Sequence, residues 1–224
     1  MKIFQYKTDL MRELIRLVSH GYISWCSGSI EPKKAEGLML KFHDRYAVNA
    51  TSQQRYRRKT KDQANARLLM CLDESGESVL WWLVATTGEG LVHQLETLMN
   101  ATEKKTRLEI TGYELVKTPR SGRSAQWTWR MTKETELAWK ERIRTAIRGK
   151  HQSDELIQQA LYSLRRVPGF AESRRQAFSL VRFAQAEWKR HRRSEWPYPD
   201  IFVGWVGQFK KATMIELSGS PHNR

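Results

Sequence analysis

Arg55-Tyr56-Arg57-Arg58-Lys59-Thr60-Lys61 packs five cations and one aromatic ring into seven residues. Arginine can fork onto a phosphate or stack on a base, and a tyrosine ring offers a further stacking face. A second cationic run extends from Arg165 to Arg193. It holds Arg174, Arg175 and Arg182 and closes in Lys189-Arg190-His191-Arg192-Arg193. Arg120 and Arg123 flank a turn rich in proline and glycine. The formal charge of the 224-residue chain is +15, and these clusters concentrate it. A polyanion is the simplest partner for such fields, because each neutralised phosphate releases a condensed counterion. The competing reading is a solvated, solubilising surface.

Six histidines are available: His20, His43, His93, His151, His191 and His222. None forms the HxxxH or HExxH spacing of a zinc hydrolase, so no metal is expected. His43 stands beside Asp44 and Arg45, and His93 falls on a later helical stretch. Cys26 and Cys71 lie in apolar segments without CxxC spacing, which argues against a disulfide framework and for a reducing compartment. No GxxxxGK[ST], GxGxxG or GxSxG occurs, and Gly88-Glu89-Gly90 lacks the lysine of a phosphate loop. Nucleotide hydrolysis and dinucleotide redox chemistry therefore have no motif, and no cofactor is expected.

These groups need elements to hold them. Leu10, Leu14, Leu17 and Val18 mark an amphipathic helix over residues 8–20, ended by Gly21. Residues 22–30 read as a strand, and Pro32 opens a helix carrying Ala35, Leu38, Met39, Phe42 and Tyr46. Residues 49–65 read as a polar, basic connection without hydrophobic periodicity. Residues 67–72 and 78–86 form a hairpin around Glu74-Ser75-Gly76-Glu77. Its second arm, Val79-Leu80-Trp81-Trp82-Leu83-Val84, is apolar on both faces, as a central strand should be. A helical stripe at Leu91, Val92, Leu95, Leu98 and Met99 precedes a strand at 106–110. A second hairpin joins 113–117 to 126–131, with Trp127 and Trp129 on one face and Arg130 on the other.

From Thr132 the pattern is helical. Ser153-Asp154-Glu155 opens one helix. After Val167-Pro168-Gly169 a long helix turns Phe178, Val181, Ala184 and Trp188 inward. On a separate face Arg175, Arg182 and Lys189 recur every seven residues. This helix pair also has the outline of a helix-turn-helix. The fold class is thus α+β: a ferredoxin-like β-α-β-β-α-β sheet preceded by one helix, then an extra hairpin and a basic helical lobe. The expected domains are residues 1–131 and 132–224. No apolar run approaches the roughly 20 residues of a membrane span, and the charged N-terminus shows no signal peptide. A cytoplasmic protein without a membrane partner is expected.

A basic ferredoxin-like unit followed by arginine-rich helices resembles the RAMP superfamily, and in outline the CRISPR RNA-processing endoribonucleases of plasmid-borne type IV systems. The resemblance covers the strand and helix order of residues 22–131 and the basic helices after it. It implies a catalytic histidine on the first ferredoxin helix, where His43 stands. It also implies a glycine-rich loop near the C-terminus, where this chain has only Gly204-Trp205-Val206-Gly207. The function it implies is recognition of structured RNA, with metal-free cleavage left open, in a prokaryotic CRISPR antiviral or mobile-element system. Metal-free cleavage needs a base for the 2′-hydroxyl and a cation for the developing charge, roles that histidine and arginine fill.

The expected nucleic-acid-binding residues are Arg55, Tyr56, Arg57, Arg58, Lys59, Lys61, Arg120, Arg123, Arg174, Arg175, Arg182, Lys189, Arg190, Arg192 and Arg193. Two other readings stay open: a non-enzymatic DNA-binding protein of plasmid replication, partition or transcription control, and a structural subunit of a ribonucleoprotein complex.

Overall fold

The computed structural model describes residues 2–120, 122–149, 154–192, 194–207 and 211–217. In chain order its elements are β1 (Lys2–Phe4), α1 (Lys7–Ser19), β2 (Ser24–Ile30), α2 (Ala35–Tyr46), α3 (Ser52–Thr60), β3 (Ala66–Leu72), β4 (Val79–Ala85), α4 (Leu91–Leu95), β5 (Met99–Asn100), β6 (Glu109–Ile110), β7 (Tyr113–Arg120), β8 (Arg123–Met131), α5 (Lys133–Arg148), α6 (Asp154–Arg165), α7 (Ala171–His191) and β9 (Met214–Glu216). The protein is α+β, with two compact units: Met1–Leu108 with Gln208–Arg224, and Glu109–Gly207.

The first unit is built on a six-stranded sheet ordered β5-β2-β4-β3-β1-β9. β4 runs antiparallel to both β2 and β3 over its whole length, from Ser24↔Ala85 to Ile30↔Val79 and from Ala66↔Ala85 to Leu72↔Val79. It is central, as its apolar run requires. Alternation sends Val79, Trp81, Leu83 and Ala85 to the face that packs Phe42 and Tyr46 of α2 and Val92 of α4. Trp81 and Trp82 therefore point to opposite faces. Trp82 is buried, and Trp81 meets the Phe42 ring edge-on with centroids 5.6 Å apart. Trp81 lies across Gly28, its register partner, where a Cβ would sit 2.7 Å from the indole. Only glycine leaves that space. α1 buries Leu10, Met11, Leu14, Leu17 and Val18, the stripe that its sequence spacing marks.

Three expectations need correction. The strand that pairs with β2 is Met99–Asn100, where a helix was expected, and α4 ends at Leu95. Glu109–Ile110 is a strand, but it pairs with β7 in the second sheet. Residues 52–60 form a helix rather than an irregular connection.

The expected domain boundary after residue 131 also moves. β6, β7 and β8 form an antiparallel sheet of their own within the second unit. Gln176 of α7 binds both the amide and the carbonyl of Met131 at the end of β8, which ties the hairpin to the helices. At the other end of the chain, β9 pairs with β1. The buried Asp9 carboxylate accepts from the Thr213 amide at 2.9 Å. The C-terminal segment thus belongs with the first unit.

In the second unit Trp129, Leu115, Met131 and Ile110 are fully buried. On the alternate face of β8, Arg130 pairs with its cross-strand partner Glu114. Thr132 caps α5 by accepting from the Thr135 amide. α7 buries Ala177, Leu180, Val181, Ala184 and Trp188, together with Glu187. Glu187 is 2% exposed and accepts from Arg148 of α5 through Nε, at 2.8 Å, and Nη2, and from Arg190 at 3.0 Å. Among the described residues no helix is long and apolar enough to cross a membrane.

Candidate nucleic-acid interface

The first basic cluster lies on α3, and its start explains why a helix forms there. The Thr51 hydroxyl accepts from the Gln54 amide at 3.2 Å, and the Gln54 side chain accepts from the Thr51 amide at 2.7 Å. Two amides that a helix start leaves orphaned are satisfied at once. α3 buries no residue, so hydrophobic periodicity carried no trace of it. Thr51-Ser52-Gln53-Gln54 was the readable signal.

α2 ends at Tyr46, with Ala47 in the left-handed region (φ 52°), and the Ala47 amide returns to the His43 carbonyl at 2.8 Å. This reversal sets the last turn of α2 beside α3. Gln54, Arg57, Arg58 and Lys61 follow the i, i+3, i+4, i+7 spacing of one helix face. With His43, Ala47, Ala50 and Gln63 they line a pocket of about 300 Å³, at the small end of ligand pockets. The lining holds three cations and a histidine but no carboxylate. A phosphate would find donors and no competing anion there.

The cluster divides by use. Arg55 is half-buried and donates to the Ala50 carbonyl and the Ser52 hydroxyl. Arg58 is half-buried and donates through Nε and Nη2 to the Ala64 carbonyl, at 3.2 and 2.8 Å. The buried Asn65 amide group donates to the Arg55 carbonyl. Arg58 and the Arg55 backbone carbonyl therefore fasten α3 to the segment that leads into β3, while the Arg55 side chain holds the start of α3. Tyr56, Arg57, Lys59, Lys61 and His43 are exposed. Arg57 and Lys61 reach the pocket with His43, whereas Tyr56 and Lys59 lie on other faces of α3.

The second cluster divides the same way on α7. Arg174 donates to the Val203 carbonyl at 2.8 Å, and Arg192 lies over the Trp188 ring at 5.0 Å; both are half-buried and serve packing. Arg175, Arg182 and Lys189 are exposed on the face opposite the buried stripe, at intervals of about 10 Å. Arg175 pairs with Glu172, and Arg190 is held on Glu187. Arg120 and Arg123 face each other in backbone register at the hairpin end. Their side chains, and Arg193, lie outside the described residues.

Burial pushes both thiols up to about 11, Cys26 with a further contribution from Glu96, so neither is a ready thiolate. Tyr46, hydrogen-bonded to Glu96, is pushed up to about 12, first by burial. Among the described residues no three His, Cys, Asp or Glu side chains cluster as a metal site would require.

Compared with known proteins, the chain matches no family model, no curated protein and no solved structure.

Proposed function

We propose that this protein binds RNA, that the α2–α3 pocket takes a backbone phosphate with the exposed cations of α3 holding the flanking strand, and that the exposed Arg182 and Lys189 of α7, in the other unit, make phosphate contacts of their own. The observation that carries the reading is His43, Arg57 and Lys61 brought around one pocket without a carboxylate. The strand order β5-β2-β4-β3, with every neighbouring pair antiparallel, supports a ferredoxin-like unit. In such a split β-α-β, β4 inserts between β2 and β3. The resemblance to the RAMP superfamily extends the proposal to cytoplasmic RNA processing in a CRISPR or mobile-element system, with other ribonucleoprotein subunits as partners.

The same pocket offers a metal-free cleavage. His43 would take the proton of the 2′-hydroxyl, and Arg57 and Lys61 would stabilise charge on the phosphate as the 2′-oxygen attacks phosphorus. The bond to the 5′-oxygen breaks and that oxygen takes a proton from water, leaving a 2′,3′-cyclic phosphate and a 5′-hydroxyl. The test incubates a structured RNA with the protein in chelator. His43→Ala should slow cleavage about 10²–10⁴-fold while binding persists, and a 2′-deoxy residue at the cut should block it. Cleavage that needs magnesium, or that survives the 2′-deoxy substitution, refutes the mechanism. Equal affinity for duplex DNA of the same length refutes the RNA assignment.

A further inference from the structure

The segment Ile201–Gly207 has neither helix nor strand, yet it is fixed to the corner between α6 and α7. Ile201 and Val203 are buried. The Val203 carbonyl accepts from Arg174, and the Val206 amide donates to the Gly169 carbonyl at 3.1 Å. Gly169 approaches so closely that a Cβ there would overlap the Gly204 carbonyl oxygen. With Ile201 and Val203 turned in, the aromatic rings beside them turn out: Phe202 is 74% exposed and Trp205 63%.

Among the described residues, which include all nine tryptophans, Trp205 is the only tryptophan that stands in the open. Its ring carries the Arg174 guanidinium at 3.8 Å from the centroid. The Nε hydrogen bond to Val203 holds that guanidinium in place, so the indole is braced on one face. A planar ring braced by a planar cation is already ordered, so little side-chain freedom remains to be lost on binding. The surrounding residues 109–207 carry more lysine and arginine than aspartate and glutamate. An aromatic partner attached to a polyanion fits both the ring and that charge. Paired bases are already stacked, so only an unpaired base can meet the indole.

We propose that Trp205, braced by Arg174 and flanked by Phe202, is a stacking platform for an unpaired nucleobase. This rests on the nucleic-acid reading above but on different residues, in the other compact unit.

The test measures binding of the full chain to a 12-nucleotide oligoadenylate and to a blunt RNA duplex of equal length, at one salt concentration. Trp205→Ala should weaken oligoadenylate binding by about 5- to 150-fold, the usual worth of one base–aromatic stack. Duplex affinity and the oligoadenylate salt slope should stay unchanged. Trp205→Phe should keep most of the affinity, which separates stacking from a folding defect, and both variants should melt with the parent. Unchanged oligoadenylate affinity in Trp205→Ala overturns the platform and leaves RNA binding standing. Equal losses on duplex and single strand overturn it as well. A dimer that becomes a monomer in Trp205→Ala, with RNA affinity unchanged, assigns the face to a second copy of the chain. A parent chain that binds neither oligonucleotide removes both the platform and the nucleic-acid reading.

Discussion

The double variant Arg57→Ala/Lys61→Ala isolates phosphate binding from folding. Both side chains are exposed, both line the α2–α3 pocket, and neither makes a salt bridge among the described residues. Their loss should leave the melting temperature within a few degrees, as surface changes do. Each phosphate contact on a single strand contributes about 0.7 to the slope of log K against log salt. Two lost contacts should therefore flatten the slope by about 1.4. At about 0.1 M salt the same term is about 25-fold in affinity, and it vanishes as salt approaches about 1 M. Arg58→Ala is the contrasting variant. It removes both donors from the carbonyl of Ala64, a residue 1% exposed. An unsatisfied buried carbonyl costs about 1–3 kcal/mol, so Arg58→Ala should lower stability more than it changes the slope. The assay is a salt titration of RNA affinity beside thermal melting. A double variant that binds with the parent's slope shows that the pocket holds no phosphate. One that melts far below the parent shows that Arg57 and Lys61 are fasteners instead.

Further outcomes follow from the packing. Glu187→Gln should cost up to about 3 kcal/mol in denaturant unfolding, near the lower end for breaking a buried pair because Arg148 is half-exposed; no loss would mean that α5 and α7 do not depend on it. Trp82→Ala should cost about 3–5 kcal/mol; a variant that folds normally and loses RNA affinity would make Trp82 a binding ring. Stability should also fall at alkaline pH. The folded thiols of Cys26 and Cys71 and the Tyr46 hydroxyl all have pKa values above their ordinary 9 and 10. The fold favours their neutral forms, so this contribution is whole below about pH 9. It is lost from 9 to 11 for the thiols and from 10 to 12 for Tyr46. Melting temperature followed across that range should decline less steeply in Tyr46→Phe than in the parent.

Elements with a buried face were the legible ones. The stripe Leu10-Leu14-Leu17-Val18 gives α1, and the two-sided apolar run of β4 gives its central place, because burial needs periodic apolar residues. Two kinds of element were not legible. α3 buries nothing, so only its cap could have marked it. β1, β5 and β9 are two or three residues long, and their pairing is set by where the chain returns rather than by their own composition. Composition thus placed the boundary after residue 131, at the change from strands to helices. The chain divides instead where β6–β8 leave one sheet for another.

The candidate site was legible as charge but not as geometry. Arg55 and Arg57 are two residues apart and read alike, yet about 200° of helix rotation separates them. That rotation turns Arg55 onto the Ala50 carbonyl and Arg57 into the pocket with His43. Arg174 and Arg175 differ by one helical step, and one braces Trp205 while the other is exposed. A basic cluster therefore counts cations without sorting them, because an arginine that caps a carbonyl and one that awaits a phosphate have the same sequence. The backbone carbonyls do the sorting. Those left open at Ala50, Ala64 and Val203 each claim one guanidinium, Glu172 and Glu187 hold Arg175 and Arg190, and Arg57 and Lys61 line the pocket without a salt bridge among the described residues.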